Sequence, residues 1–332
     1  MTRILTYSDI DPQQWQSLVE RSPYATWFQT PEAYQFYASV HNEMTPFAFG
    51  IEHNGELRAV VVGYVTKANS AIKQFFTRRA IIIGGPLIGE HATELDVEQL
   101  LRVTASELKS QAIYIETRNF HDYSRWKSVF EANVFTYHAH LNFHVDCTKE
   151  NILASMSESR RRQIKKALKN GVEIVEATSE DQVRDFYLIL EDLYRSKVKT
   201  PLFPLSFFMS FYQQHSGKYL LVKYENKIIG GIMCPILEGN TIYEWFVCGL
   251  DDAYKNQYPS VMATYAAIEY ASTHKIALFD FMGAGKPDEA YGVRDFKARF
   301  GGEQVEHGRY LCVCKPIMYY MGKIGVKLLK KR

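Results

Sequence analysis

The chain has 332 residues, of which 46% are hydrophobic, and a formal net charge of +2 at pH 7. This length can bury one large core or two medium ones, and the usual sizes of domains favour two. The small net charge argues against a function that needs a strongly basic surface, such as binding to duplex DNA.

Residues 1–15 lack the long apolar run of an export signal. No other segment has an apolar run long enough to span a membrane. The five cysteines are odd in number and are never spaced as Cys-x-x-Cys. The sequence therefore indicates neither a disulfide framework nor a zinc knuckle. These features predict a cytoplasmic protein.

The two halves of the chain show the same order of predicted elements. Each half has a helix, a hairpin with a two-residue turn, a further strand, a second helix and a buried strand. In the first half the helices are predicted at 31–40 and 97–110, the turn at Asn54-Gly55 and the buried strand at 112–115. In the second half the helices are predicted at 179–196 and 261–274, the turn at Glu225-Asn226 and the buried strand at 277–281. This order predicts two similarly folded modules with strands and helices in alternation.

Between the halves, residues 137–146 alternate between apolar and polar side chains, which predicts a strand. The polar face includes His138, His140 and His144. A metal site is one interpretation of this face. A solvated strand face is the other, and it is favoured because no neighbouring carboxylate pattern completes a ligand set.

A basic helix follows, capped by Ser157 or Ser159 and ended by Gly171. It carries six cations. Charge is uneven along the chain: residues 1–145 have 12 Lys and Arg against 15 Asp and Glu, whereas residues 146–332 have 27 Lys and Arg against 22 Asp and Glu. The six cations repel one another unless an anion meets them, although a solvated helix face is the alternative. A phosphate-bearing partner is expected to contact Arg160, Arg162 and Lys166.

Residues 279–303 place a strand, a glycine turn and a basic helix in succession, which predicts an anion pocket. Gly283 and Gly285 allow the backbone to turn and expose its N–H groups. Arg294 and Lys297 are three residues apart and therefore share a helix face. The alternative is an amphipathic helix whose cations face water.

The C-terminal segment 316–332 alternates apolar residues with cations, five of which lie in the last ten residues. It could rest on an anionic membrane, where each cation contributes about 1 kcal/mol. A helix docked on the second module is the alternative.

The chain resembles the FemAB/FemX-like aminoacyltransferases, which carry two GNAT-like acyltransferase modules in one polypeptide. The landmarks are the sequences SPYATWFQTPEAYQFY, SRRRQIKKALKNGVEI, LLVKYENKIIGGI and FDFMGAG, and the Phe-Lys pair at Phe296 and Lys297. The resemblance covers nearly the whole chain. It implies an α/β (α+β) fold of two modules, each a mixed and mostly antiparallel sheet flanked by helices. The expected ranges are 1–145, 146–315 with the active site, and the tail 316–332.

The resemblance further implies a bacterial enzyme that moves an aminoacyl group from aminoacyl-tRNA to an amine, often on a peptidoglycan precursor of the cell wall. Amine attack on an ester or thioester creates an oxyanion, which a fixed donor can stabilise by about 3–4 kcal/mol. Lys297 is the expected catalytic cation. Phe296, Gly283, Gly285 and Arg294 are expected to bind the donor. No tightly bound cofactor is expected.

The acyl or acceptor pocket is expected at Tyr243, Trp245, Tyr37 and Phe203, with core packing as the alternative for the first two. Family members that act on muramyl-peptide nucleotides have basic residues near Tyr37 and Phe203. Their absence here favours a sugar, a lipid or an uncharged amine as the acceptor. Asp280 and Glu244 are possible proton acceptors.

Three functions stay open from the sequence. The first is transfer from aminoacyl-tRNA, and the second is transfer from acyl-CoA bound at the same glycine turn. The third is a catalytically inactive, ligand-binding relative. DNA binding is not expected, because no helix-turn-helix pattern is present.

Overall fold

The computed structural model describes residues 2–67 and 78–329. The chain divides into a first unit, Met1–Ala139 with His307–Arg332, and a second unit, His140–Glu306. Among the described residues, each unit has one eight-stranded sheet with helices packed against it. The predicted α/β class with two mixed, mostly antiparallel sheets is confirmed.

The sheet of the first unit has the strand order β1-β2-β3-β4-β6-β16-β7, with β5 beside β3. Its strands are β1 (Thr2–Thr6), β2 (Met44–His53), β3 (Glu56–Thr66), β4 (Arg79–Gly84), β5 (Leu87–Ile88), β6 (Tyr114–Asn119), β7 (Thr136–His138) and β16 (Arg309–Val313). Strands β4 and β6 pair in parallel, and the other neighbours pair antiparallel. The β2–β3 hairpin turns at Asn54 and Gly55, whose φ values of 52° and 82° are those that an Asn-Gly turn requires.

The helices of the first unit are α1 (Pro12–Arg21), α2 (Pro31–Ser39), α3 (Glu94–Leu108), α4 (Lys127–Ala132) and α11 (Pro316–Leu329). Helix α3 begins at a capping box, in which Thr93 and Asp96 bond to each other's backbone N–H groups. Its apolar face, with Val97, Leu100 and Leu101, packs into one buried cluster with the sheet.

The sheet of the second unit has the strand order β15-β8-β14-β12-β11-β10-β9, with β13 beside β11. Its strands are β8 (Leu141–Asp146), β9 (Glu173–Glu176), β10 (Gly217–Tyr224), β11 (Lys227–Leu237), β12 (Thr241–Tyr243), β13 (Phe246–Gly249), β14 (Leu278–Asp280) and β15 (Glu303–Glu306). Its helices are α5 (Ile152–Ser155), α6 (Glu158–Lys169), α7 (Glu180–Leu193), α8 (Leu205–Gln213), α9 (Pro259–Thr273) and α10 (Gly292–Ala298).

Two of these helices position the candidate site. Helix α9 begins with Pro259 at its first position, which suits an N-terminus, and is buried along most of its length in the core of the second unit. The basic helix α6 is capped by Ser157, whose hydroxyl accepts a hydrogen bond from the N–H of Arg160 at 3.4 Å. Gly171, with a φ of 84°, ends it as predicted.

The structure corrects the expected boundaries 1–145 and 146–315. Strand β8, expected in the first module, pairs with β14 and β15 of the second sheet. Strand β16, expected in the second module, lies between β6 and β7 of the first sheet. Alternation along the sequence predicts that a strand exists, but it carries no information about which strands will be its neighbours.

This division predicts which fragment can fold. Residues 140–306 contain all the described strands of the second sheet, so this fragment should unfold cooperatively on heating. Fragment 146–315 lacks all of β8 except Asp146 and carries β16 without its partners, so it should aggregate or remain largely unfolded. Circular dichroism and thermal unfolding of both fragments test this, and equally cooperative transitions would contradict the division.

Candidate active site

Lys297, on α10, holds the turn that follows β14. Its ammonium donates to the carbonyl oxygens of Phe281 and Gly283 at 2.8 and 2.9 Å. It also forms an ion pair with Glu244 Oε1 at 3.0 Å, with only 11% of the lysine side chain and 4% of the glutamate side chain exposed. All three ammonium hydrogens therefore have acceptors. The expected catalytic cation is in a buried ion pair that fixes the turn.

Glu244 lies in the two-residue gap between β12 and β13. Its N–H donates to the carbonyl oxygen of Asp280 at 2.9 Å, and the Thr264 hydroxyl donates to its Oε2 at 3.3 Å. Burial raises the pKa of Glu244, and the neighbouring Lys297 opposes part of this rise. In this structure Glu244 is the counter-ion of Lys297, not an exposed proton acceptor.

Asp280, the other possible proton acceptor, is buried at the end of β14. Its Oδ1 accepts from the side-chain amide of Asn142 at 2.7 Å and from the N–H of Met282 at 2.5 Å, and its Oδ2 lies 3.1 Å from His144 Nε2. Burial alone would raise the pKa of Asp280, but its bonds with His144 and Asn142 lower that pKa. Burial would lower the pKa of His144, and Asp280 raises it instead. The contacts thus favour a charged pair.

Two N–H groups of the glycine turn are bonded within the protein. The N–H of Gly283 donates to Asn142 Oδ1 at 2.7 Å, and the N–H of Ala284 donates to the carbonyl oxygen of Leu141 at 2.6 Å. The carbonyl oxygen of Gly285 accepts from the N–H of Leu141 at 2.9 Å. An anion at the N–H of Gly283 or Ala284 would have to displace Asn142 or β8. The anion pocket expected at this turn stays a prediction.

Arg294 fastens the loop 284–289 to α10. It donates to the carbonyl oxygens of Ala284, Pro287 and Glu289 at 3.0, 3.4 and 3.2 Å, and also contacts that of Lys286. Its guanidinium is engaged with the protein backbone. The donor contact expected at Arg294 is therefore replaced by a structural role in the loop.

An open cavity of about 460 Å³ lies elsewhere in the described part of the second unit. Helix α6 contributes Arg160 and Gln163 to its lining, and the N-terminus of α9 contributes Ser260. Asp295, Phe296 and Arg299, on and just after α10, also line the cavity, as does Asp251 after β13. The structure thus brings together Arg160 and Phe296, which the sequence analysis assigned to separate contacts. It adds Arg299, Gln163 and Ser260, for which no sequence signal was recognised.

Arg160 is a buried cation in this cavity, with 2% of its surface exposed. Its Nη1 donates to Gln163 Oε1 at 2.9 Å and its Nη2 to the carbonyl oxygen of Phe296 at 3.0 Å, while its Nε has no partner among the described residues. Its guanidinium also lies 4.5 Å from the centroid of the Phe296 ring. Burial and then the nearby Arg299 lower the pKa of Arg160 to about 10, against the opposing effect of Asp251. No carboxylate in the described ranges forms an ion pair with Arg160.

Asp251 bonds to the N–H of Ser260 at 3.1 Å and also contacts its hydroxyl, so it caps α9. Its carboxylate is thereby directed to the helix terminus. Among the described residues, this arrangement leaves the buried charge of Arg160 without a paired anion.

Four of the other five cations of α6 lie on its exposed face: Arg162, Lys165, Lys166 and Lys169. The fifth, Arg161, is half-buried and donates to the carbonyl oxygens of Ala154 and Met156 at 3.1 and 2.7 Å. Arg162 forms an exposed ion pair with Glu158 at 2.9 Å. Lys166 donates to Asn256 Oδ1 at 2.9 Å. Helix α6 therefore combines one buried cation with an exposed basic surface.

The residues expected in the acyl or acceptor pocket fall into two groups. Phe203 stacks on Phe207 at 4.3 Å between ring centroids, and Phe207 lies 5.4 Å from Trp245, so these three rings form an aromatic cluster. Tyr243 is 1% exposed in β12. Tyr37 is equally buried in the first unit, 5.0 Å from Tyr64, and burial raises its pKa. Core packing accounts for Tyr243 and Tyr37.

The three histidines of residues 137–146 do not form a metal site. His138 belongs to the first unit, whereas His140 and His144 belong to the second. Within residues 2–67 and 78–329, no group of three or more His, Cys, Asp or Glu side chains is arranged to hold a metal ion.

Comparisons with known proteins agree with the fold described above. The model of a family described as acetyltransferase (GNAT) domain matches residues 154–297. The crystal structure of FemX superposes with a TM-score of 0.72 at 12% identity, covering 96% of this chain and 99% of FemX. The chain has the FemX-like tandem GNAT fold.

Two further structures share this tandem GNAT fold. The C-terminal domain of a putative lysylphosphatidylglycerol synthetase from Agrobacterium fabrum has a TM-score of 0.60 at 13% identity, with 96% of this chain and 95% of that domain covered. A tandem GNAT protein from the clavulanic acid biosynthesis pathway has a TM-score of 0.56 at 10% identity, with 95% and 99% covered. No curated protein matches the sequence. The predicted resemblance is confirmed as a likeness of fold. The predicted acyltransferase class is confirmed through the GNAT domain in the second unit.

The C-terminal segment of this tandem GNAT chain forms α11, which belongs to the first unit and not to the second as the alternative expected. Tyr319 packs edge-on against Tyr114 at 5.5 Å, and Lys315 donates to the carbonyl oxygen of Ser110 at 3.1 Å. No helix in the described ranges is long and apolar enough to cross a membrane.

The ion pair of Lys297 predicts a specific cost in stability. Lys297→Met would leave Glu244 buried without a counter-ion, so the free energy of unfolding should fall by about 3–5 kcal/mol. The double variant Glu244→Gln/Lys297→Met removes both charges and should cost much less. Chemical denaturation of the single and double variants gives the coupling between the two side chains.

The exposed pair of Lys286 and Glu289 is the matched control, because both side chains are more than half exposed. Lys286→Met should change the free energy of unfolding by about 1 kcal/mol or less. If Lys297→Met costs no more than this control, the ion pair does not hold the turn.

Proposed function

We propose that the chain is an N-acyltransferase that moves an aminoacyl group from aminoacyl-tRNA to an amine acceptor, and that the cavity of the second unit holds a phosphate of the donor. The observation that carries this proposal is the buried charge of Arg160. A buried cation without a paired anion is costly, and a bound phosphate would remove that cost. Arg299 in the same cavity adds a second cation for the phosphate.

The exposed cations of α6 support tRNA as the donor. A polynucleotide brings further phosphates beyond the one in the cavity, and Arg162, Lys165, Lys166 and Lys169 can meet them on the exposed face. The alternative donor is acyl-CoA, which would need the cavity alone. The structure of the tandem GNAT protein from the clavulanic acid pathway is described as being without AcCoA. This description is the reason for testing acyl-CoA as the alternative donor.

In the proposed transfer, the acceptor nitrogen forms a bond to the acyl carbon. The bond from that carbon to the 3′ oxygen of the tRNA breaks, and the oxygen leaves with the proton that the amine gives up. We place the acyl group beside Trp245, at the gap between β12 and β13. Glu244 lies in this gap and is tied to α10 by Lys297, so the contacts support a positioning role for Lys297. The direct catalytic role expected for Lys297 stays a prediction.

The acceptor is proposed to be an amine on a small molecule or on a cell-wall precursor. In the aromatic cluster Phe207 is buried, whereas Phe203 and Trp245 are partly exposed and offer ring surface that suits a sugar or another flat apolar group. A lipid or a small amine is the alternative acceptor, and the likeness to a lysylphosphatidylglycerol synthetase domain supports testing a lipid. A catalytically inactive binding protein is the remaining alternative, which a transfer assay with charged tRNA distinguishes.

Substitution of Arg160 tests the donor site. Arg160→Gln should weaken the binding of charged tRNA about 10- to 100-fold, because hydrogen bonds to a charged group contribute about 1.5–3 kcal/mol. Arg162→Gln, an exposed change on the same helix, should mainly reduce the slope of log affinity against log salt by about one. Filter binding at several salt concentrations measures both effects, with thermal unfolding as the check on folding.

Two results would count against this proposal. If folded Arg160→Gln binds charged tRNA as well as the unaltered chain does, the cavity does not hold the donor. If the chain binds acyl-CoA and shows no salt-dependent affinity for tRNA, the donor is acyl-CoA.

We also propose that the chain is cytoplasmic and that α11 touches the inner face of the membrane. Ile317, Tyr320 and Met321 are 78%, 62% and 54% exposed and recur at the spacing of one helix face. Five cations lie in residues 323–332, which suits an anionic lipid surface.

The triple variant Ile317→Ser/Tyr320→Ser/Met321→Ser tests this contact without altering Tyr319, which packs on the first unit. The unaltered chain should sediment with vesicles that contain anionic phosphatidylglycerol and much less with vesicles of phosphatidylcholine alone. The variant should lose most of this binding. Equal sedimentation of the two proteins with anionic vesicles would remove the membrane proposal.

A further inference from the structure

One face of the first sheet carries a cluster of charged side chains that the proposed function does not use. Its members are Arg79 on β4, Glu116 and Arg118 on β6, and Arg309 on β16. Arg309 lies directly opposite Arg118 in the antiparallel register, and Arg79 is the register partner of Tyr114. Since residues 114, 116 and 118 share one face of β6, all four charged side chains lie on the same face. The cluster thus contains three guanidinium groups and one carboxylate.

Glu116 is shared between two of the arginines. Its Oε2 accepts from Arg118 Nε and its Oε1 from Arg309 Nη1, each at 3.0 Å. Like charges directly opposite each other on neighbouring strands repel, and one carboxylate cannot neutralise both. Burial lowers the pKa of Arg309 and the nearby Arg118 lowers it further, against the effect of Glu116. Together these four side chains carry two more positive charges than negative ones.

Arg118 presents donors that the protein does not use. Its Nε bonds to Glu116, whereas its Nη1 and Nη2 have no acceptor within the described ranges. Its side chain is 34% exposed, and these two nitrogens are not among the buried polar atoms without partners, so solvent reaches them. The terminal nitrogens of one guanidinium form a planar fork that matches the two oxygens of a carboxylate or a phosphate.

Tyr64 lies beside this fork. Burial raises the pKa of Tyr64, and the cations of Arg118 and Arg79 oppose part of that rise. Its hydroxyl is therefore protonated at neutral pH and can donate a hydrogen bond to an oxyanion.

We propose that this cluster is a second anion-binding site, centred on Arg118, which takes a carboxylate or phosphate group of a ligand. It lies in the first unit and shares no residue with the donor cavity of the second unit. The inference does not depend on the proposed function. Both ligand groups use the same chemistry, which is two oxygens of one anion on the fork of Arg118.

The test measures the rise in the thermal unfolding midpoint of the full chain with inorganic phosphate and, separately, with succinate, at constant ionic strength. Binding to the folded state alone raises the midpoint. Arg118→Gln should weaken binding at this site about tenfold or more. Glu116→Gln should strengthen it several-fold, because the carboxylate that competes for Arg118 and Arg309 is removed. A response to phosphate alone or to succinate alone identifies the group that the site accepts.

Arg102→Gln, an exposed change on α3 where Arg102 pairs with Glu98, is the control for loss of one positive charge and should leave this response unchanged. If neither anion gives a response, or if Arg118→Gln keeps the full response and Glu116→Gln does not increase it, the proposal is wrong. A response that Arg160→Gln removes and Arg118→Gln preserves belongs to the donor cavity. That outcome overturns this site and leaves the proposed function standing.

Discussion

The candidate site of the second unit depends on the buried ion pair between Lys297 and Glu244. It joins three segments that are far apart in sequence: helix α10, the gap between β12 and β13, and the turn after β14. Two charges are withdrawn from water here, and the energy gained between them offsets this only if the geometry is kept. The pair thereby fixes the position of α10. Since α10 carries Phe296, whose carbonyl oxygen accepts from Arg160, the wall of the donor cavity depends on the same pair.

Three cations of this chain differ in how their charge is compensated. Lys297 has an acceptor for each ammonium hydrogen, whereas Arg160 is as deeply buried and has no carboxylate in ion-pair contact. Arg118 shares one carboxylate with a second arginine. The first arrangement is complete without a ligand, and the other two favour binding of an anion. A buried cation whose charge is neutralised by protein groups makes a structural contact, whereas a cation whose charge is not fully neutralised marks a candidate binding site.

The sequence predicted features that depend on neighbouring residues. The turns at Asn54-Gly55 and Glu225-Asn226 have the positive φ values expected of hairpins, and the cap of α6 lies at Ser157 as one of two expected positions. The bond of the Gly283 N–H was not predicted, because its acceptor is Asn142, about 140 residues earlier in the chain. The partners of Lys297 and the cluster around Arg118 are likewise set by pairing between distant strands. No local pattern records such pairing.

The return of the chain to the first sheet has a consequence for synthesis on the ribosome. Strand β16 fills the place between β6 and β7, yet it is made about 170 residues after β7. At about 5–20 residues per second, the first sheet waits roughly 10–30 s for this strand. Residues 140–306 are complete before it emerges, so the second unit can fold first. During that interval the edges of β6 and β7 lack their partner and are exposed to wrong pairing.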